Sequence, residues 1–174
     1  TLFPYTTLFR SDFPQGTMTL EEKLARFEEY AACGFTEIDY VLNQESVENR
    51  DFDAIEREMT AIADFCRAHG ITEKVIVEMC KLDGDDAAKH RVCEIALEAK
   101  PGFLKTSTGR SFGGAKLEDV RLMHEVLGDS VAIKAAGGIH NYEEACAFIE
   151  AGASALGASA GIAIVEGTPT EERR

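Results

Sequence analysis

The stretch KVIVEMCKLDGDDAAKHRVCEIALEAKPGFLKTST, residues 74–108, contains two predicted strands and the helix that joins them. KVIVEM (74–79) and FLKTST (103–108) are short, largely apolar runs, which is typical of buried strands. The segment between them predicts a helix that ends where Pro101 and Gly102 follow it. A strand, a helix and a second strand in this order indicate parallel strands joined by a crossover.

The same alternation continues on both sides of this stretch. Further strands are predicted at EIDYVL (37–42), VAIKAA (131–136) and SALGAS (154–159), and further helices within 19–33, at 51–69, at 116–127 and from Asn141 onward. The fold class is therefore α/β, as either an open doubly wound sheet or a closed barrel. Five strands in the 163 residues that follow residue 11 fit a TIM (β/α)8 barrel of about 250 residues without its first three strands.

The first eleven residues, TLFPYTTLFRS, differ in composition from the acidic, alanine-rich remainder. They resemble the translation of a sequencing-adapter oligonucleotide, so we expect 1–11 to be non-native and 12–174 to form a partial barrel domain. The natural protein would then begin upstream of Asp12. This expectation favours the incomplete barrel, whereas an open sheet fits equally well without it. A genuine amphipathic strand in this segment is the alternative.

Overall charge and cysteine content limit the classes of partner. The chain has 31 acidic and 18 basic residues and a formal net charge of −13, which would repel a nucleic-acid backbone, so we expect no nucleic-acid partner. No apolar run reaches the roughly 18 residues of a membrane span, and no membrane partner is expected. The five cysteines show no CxxC pair and no metal-ligand spacing, which indicates reduced thiols and a cytoplasmic location.

Three ionisable residues lie inside apolar strand segments, where an uncompensated charge is costly: Asp39, Lys105 and Lys134. Each alone is typical of a structural ion pair. Two lysines on successive strands of a parallel barrel, however, point at the same interior, where burial and a neighbouring ammonium disfavour protonation. Because an unprotonated amine attacks carbonyl carbon, the three residues together predict a Schiff-base lyase.

Glycine-containing segments follow the two predicted strands that carry the lysines and close the last predicted strand. Backbone amides approach an anion closely where no side chain intervenes, and barrels often bind phosphate after their last strands. These loops therefore predict a phosphate cradle for a small phosphorylated substrate. Its candidate residues are Gly109, Arg110, Gly137, Gly138, Gly157 and Ser159.

The segments FLKTSTG, IKAAGGI, EIDYVLN, KVIVEM and DFPQG, in this chain, resemble the deoxyribose-phosphate aldolase family from about Asp12 to Gly167. The resemblance implies a TIM barrel that cleaves 2-deoxy-D-ribose 5-phosphate reversibly to acetaldehyde and D-glyceraldehyde 3-phosphate, without metal or organic cofactor. Lys105 matches the Schiff-base lysine, Lys134 the second lysine that perturbs it, and Asp39 the carboxylate of the proton relay. The family's phosphate loops fall on the glycine-containing loops above, Thr106 and Thr108 would line the site, and a homodimer is expected.

Several positions depart from the family pattern. Ala135 replaces a usual proline, Ala155-Leu156 stands where an arginine is frequent, and Ala160 replaces a serine, which bears on the strength of phosphate binding. Two other functions remain open for this chain. One is that of a different Schiff-base phosphosugar aldolase. An inactive fragment or a non-catalytic phosphate-binding barrel is the other. Glu78 lies at the end of KVIVEM. As a lone carboxylate in the barrel, it is more typical of a structural residue that supports the lysines through hydrogen bonds than of a catalytic one.

Overall fold

A computed structural model describes residues 9–110 and 113–167 of the chain. Its six strands form one parallel sheet in chain order, and the helices lie between them in sequence, which gives an incomplete (β/α) barrel. The elements are β1 (Phe9–Ser11), α1 (Leu20–Ala32), β2 (Glu37–Val41), α2 (Gln44–Asn49), α3 (Phe52–His69), β3 (Thr72–Ile76), a 3₁₀ helix (Met79–Leu82), α4 (Asp86–Ala99), β4 (Phe103–Lys105), α5 (Leu117–Leu127), β5 (Ala132–Ala136), α6 (Tyr142–Glu150), β6 (Ala155–Gly157) and α7 (Gly161–Glu166).

The predicted alternation is confirmed, and the helix ends follow the sequence signals. α1 begins after a capping box in which Thr19 and Glu22 each accept the other's backbone N–H. α3 ends at Gly70, whose left-handed conformation suits glycine. α2 was not predicted, and the strand predicted at 103–108 pairs regularly only as far as Lys105.

The two faces of the sheet have different chemistry because successive strand residues point to opposite sides. Ile38, Val75, Leu104 and Ile133 are almost fully buried and belong to the apolar core shared with the helices. The intervening positions carry the ionisable side chains on the concave face. The core therefore holds the strands in place while the other face remains available for chemistry.

β1 is a sixth strand, and a strand in its segment was only the alternative expectation from the sequence. It pairs in parallel with β2, with Arg10 opposite Asp39, and the Phe9 ring packs against Tyr30 and Phe35 at centroid distances of 4.3 and 5.0 Å. It lies inside the segment expected to be non-native, whose origin remains a prediction. Among the residues described, β1 and β6 are the two edges of the sheet, and no helix has the length and apolar composition to cross a membrane.

Candidate active site

Asp39, Lys105 and Lys134 meet on the concave face of the sheet. Lys105 Nζ lies 2.8 Å and Lys134 Nζ 3.0 Å from the same oxygen, Asp39 Oδ2. Asp39 is 0% exposed, Lys105 4% and Lys134 8%. The structure thus brings together the three residues that the sequence singled out.

Strand register and sheet curvature explain this meeting. Lys105 on β4 is the direct register partner of Lys134 on β5, so the two lysines start side by side. Asp39 comes from β2 and reaches Lys105 across β3. Side chains two strands apart can touch only where the sheet curls, as in the interior layers of a barrel.

Burial and neighbouring charges set the protonation of this cluster. Burial lowers the pKa of Lys105, nearby Lys134 and Arg10 lower it further, and Asp39 opposes them without reversing the direction. Burial alone would raise the pKa of Asp39, but the attraction of Lys105 and Lys134 outweighs it and holds that pKa below its usual value. The cluster therefore combines an ionised carboxylate with an amine that loses its proton more readily than an ordinary lysine.

A third lysine also reaches Asp39. Lys74 Nζ lies 3.4 Å from Asp39 Oδ1 and donates a hydrogen bond to Glu37 at 2.8 Å. Sequence reasoning did not assign Lys74 to the site. The available signal was its place inside the apolar KVIVEM strand, the same signal that pointed to the other two lysines.

A cleft of about 640 Å³ opens beside the two lysines. Lys105 and Lys134 line it, together with every glycine-loop residue that the sequence named for phosphate. Its other lining residues include Arg10, Thr108 and His140. The reactive amine and the candidate phosphate cradle therefore share one cavity.

Glycine is required where the loops after β4 and β5 touch. A Cβ on Gly137 would lie 2.8 Å from the Gly109 Cα, and its φ of +83° is one that other residues rarely adopt. A Cβ on Gly114 would lie 2.6 Å from the Gly137 carbonyl oxygen. Close contact between the two loops leaves backbone as the lining of this side of the cleft.

Thr106 is the candidate residue that the structure places elsewhere. Its hydroxyl accepts a hydrogen bond from the Ala136 N–H at 3.1 Å, and it does not line the cleft. Arg10, which does line the cleft, was missed because its segment had been set aside as non-native. Within the described ranges, no group of three His, Cys, Asp or Glu side chains could hold a metal ion.

Comparison with known proteins identifies the family. No family model matches the chain. It is 46% identical over 155 residues to the deoxyribose-phosphate aldolase of Caldanaerobacter subterraneus subsp. tengcongensis, covering 88% of this chain and 66% of that protein. It is 44% identical over 155 residues to the deoxyribose-phosphate aldolase of Finegoldia magna, covering 89% of this chain and 71% of that protein. The chain belongs to the deoxyribose-phosphate aldolase family.

Structural comparison agrees with this membership. The structure of deoxyribose phosphate aldolase from Aeropyrum pernix superposes with a TM-score of 0.78 at 28% identity, over 90% of this chain and 65% of that one. The chain spans about two thirds of the length of the curated relatives that it matches. The resemblance to deoxyribose-phosphate aldolases predicted from FLKTSTG and IKAAGGI is confirmed, as is the incomplete α/β barrel.

Proposed function

We propose that this chain catalyses the reversible aldol cleavage of 2-deoxy-D-ribose 5-phosphate to acetaldehyde and D-glyceraldehyde 3-phosphate, through a Schiff base on Lys105. The observation that carries the proposal is the shared contact of Lys105 and Lys134 with Asp39 Oδ2, at the wall of a cleft lined by glycine loops. Membership of the deoxyribose-phosphate aldolase family supports the choice of substrate.

Lys105 is the nucleophile in this proposal. Its unprotonated amine adds to the C1 aldehyde of the open-chain sugar, and loss of water from the carbinolamine gives an imine. Lys134 supplies an ammonium group beside the reacting carbon, and Asp39, hydrogen-bonded to both nitrogens, relays protons during dehydration. A buried site favours this step because burial is the largest cause that lowers the pKa of Lys105.

The imine then accepts the electrons of the bond that breaks. As the C2–C3 bond cleaves, its electron pair forms an enamine at C2, and the C3 hydroxyl gives up its proton and becomes the aldehyde of D-glyceraldehyde 3-phosphate. Protonation of C2 and hydrolysis of the imine release acetaldehyde and restore Lys105. The water consumed in the last step balances the water lost when the imine formed.

The glycine loops and Arg110 bind the substrate phosphate in this proposal. Gly109, Gly137, Gly138, Gly157 and Ser159 all line the cleft that contains the two lysines. Their backbone amides suit an anion because a side chain is absent at four of these five positions. Thr106 acts indirectly, by tying the end of β4 to β5 through Ala136.

Reductive trapping tests the proposal. Acetaldehyde and borohydride should leave an ethyl group on Lys105, detected by peptide mass spectrometry, at a faster rate than on half-exposed Lys116 or buried Lys74. Lys105→Met should lose both the adduct and the release of acetaldehyde from 2-deoxyribose 5-phosphate. An unmodified Lys105 in the folded wild-type chain would refute the Schiff-base mechanism.

Assembly and location are part of the same proposal. We expect a homodimer, to be checked by light scattering, although the Aeropyrum pernix relative is described as tetrameric. All five cysteines are free, which fits the cytoplasmic location predicted from their spacing.

A further inference from the structure

Glu78 is a buried carboxylate outside the lysine cluster. It lies just after β3, is 0% exposed, and has a left-handed backbone with φ 62° and ψ 62°. Few residues other than glycine adopt this conformation, and those that do often lie at functional sites. Both its burial and its backbone therefore call for a physical explanation.

Both carboxylate oxygens of Glu78 have partners. The backbone N–H of Thr108 donates to Oε1, and the thiol of Cys80 donates to Oε2 at 3.8 Å. No hydrogen bond or ion pair joins Glu78 to Lys105 or Lys134 among the described residues. Glu78 thus acts on the loop after β4 and not on the reactive amines.

The backbone around Glu78 directs its side chain toward that loop. The N–H groups of Val77 and Met79 donate to the carbonyls of Lys105 and Thr106 at 3.1 and 2.8 Å, so backbone bonds to the end of β4 and to the residue after it lie on both sides of Glu78. The left-handed residue interrupts the strand between these two bonds. Its carboxylate accepts the Thr108 N–H, in the segment that follows β4.

The segment that Glu78 holds forms part of the cleft wall. Thr108, Gly109 and Arg110 all line the cleft, and Gly109 contacts Gly137 of the loop after β5. We name residues 106–110 the β4 loop. Because Gly109 and Arg110 line the cleft directly after Thr108, a shift of Thr108 would move both of them.

We propose that Glu78 is a positioning residue that fixes the β4 loop for binding of the substrate phosphate. This inference rests on the proposed function, and it assigns Glu78 a part in recognition of the phosphate group and none in the carbon chemistry. Its loss should therefore weaken binding of phosphorylated substrate more than it slows imine formation at Lys105.

Two variants separate the hydrogen bond from the charge. Glu78→Gln keeps an oxygen that can accept the Thr108 N–H, whereas Glu78→Ala removes it. The phosphate preference is the kcat/KM for 2-deoxyribose 5-phosphate divided by that for unphosphorylated 2-deoxyribose. In Glu78→Ala it should fall about tenfold, the size expected for one lost charge-assisted hydrogen bond. The fall should come mainly from a higher KM for the phosphorylated substrate. Glu78→Gln should retain most of this preference, and acetaldehyde trapping on Lys105 should proceed in both variants.

An equal loss of activity on both substrates in Glu78→Ala would show a general structural role and overturn the inference. An unchanged phosphate preference in that variant would overturn it as well. If Glu78→Ala is insoluble, Glu78→Asp carries the same comparison, because it keeps the charge but shortens the reach to Thr108. Wild-type preference in a folded Glu78→Asp, with the Thr108 amide unprotected, would likewise contradict the role.

Readouts without catalysis keep this inference separate from the proposed function. In Glu78→Ala, hydrogen exchange at the Thr108 amide should accelerate, and labelling of the Cys80 thiol should be faster, because burial and then the charge of Glu78 raise the pKa of that thiol. Unchanged exchange and labelling would refute the positioning role. Failure of acetaldehyde to modify wild-type Lys105 would instead refute the aldolase mechanism.

Discussion

Replacement of Lys134 with methionine tests whether a second cation keeps Lys105 reactive. Both lysine nitrogens lie within 3.0 Å of Asp39 Oδ2. They are then at most about 6 Å apart, and two unit charges at that distance repel by about 3 kcal/mol at an effective dielectric constant of about 20. This energy corresponds to roughly a hundredfold change in the fraction of unprotonated amine at a given pH.

The direction of the effect follows from the remaining neighbours of Lys105. Burial, which is the largest cause of its lowered pKa, stays in place, but the lowering by Lys134 disappears while Asp39 still raises that pKa. Lys105 in Lys134→Met should therefore hold its proton to higher pH. Imine formation near neutral pH should slow by about a hundredfold and recover as the pH is raised.

The assay is the initial rate of ethyl-adduct formation on Lys105, measured with acetaldehyde and cyanoborohydride across the neutral to alkaline range. Lys116→Met is the matched control, because Lys116 is half-exposed and pairs with Asp83 away from the cleft. Circular dichroism of both variants checks that the fold is retained. An identical pH dependence in Lys134→Met and wild type would refute the electrostatic reasoning.

Two further predictions concern the loops and the core. Gly137→Ala should raise the KM for 2-deoxyribose 5-phosphate by about tenfold or more, because a Cβ there would lie 2.8 Å from the Gly109 backbone and displace the phosphate cradle. Gly70→Ala is the control, because Gly70 also has a positive φ, +66°, but open space where a Cβ would lie. Equal KM values in the two variants would contradict the prediction. Burial raises the pKa of Glu73, so the stability it contributes is present at acid pH and lost as the pH rises through that raised pKa. Glu73→Gln, which can still accept the Gly102 N–H, should be more stable than wild type near pH 7 and similar near pH 4, as urea unfolding will show.

The strand positions were predictable because buried parallel strands stand out as apolar runs between turn residues. α2 was missed because QESVEN has no stripe of apolar residues at helical spacing. A strand at β1 was only the alternative expectation, because its segment differs in composition from the remainder, although Phe9 packs on the aromatic rings of Tyr30 and Phe35. Whether a short segment such as α2 or β1 becomes a helix or a strand depends on contacts with residues elsewhere in the chain. The local sequence pattern contains little information about those contacts.

The site was predictable where charge stood in an apolar strand, as with Lys105 and Lys134. The link from Lys74 to Asp39 was not, because it depends on three-dimensional placement of the side chains. The position of Thr106 could have been anticipated. Since neighbouring strand residues face opposite sides, a Lys105 that points to the interior directs Thr106 away from it.

The order of the strands explains why the reactive cluster forms within this incomplete barrel. Sheet order follows chain order, so the placement of β2, β4 and β5 relative to one another depends on the segment from 37 to 136. The phosphate cradle depends also on the edge of the sheet. Gly157 is the last residue of β6 and Ser159 follows it, and β6 pairs only with β5 among the described strands. An edge strand has fewer neighbours to hold its position. Imine formation at Lys105 should therefore tolerate disturbance of the sheet edges better than phosphate binding does, and measurement of the two separately distinguishes loss of chemistry from loss of recognition.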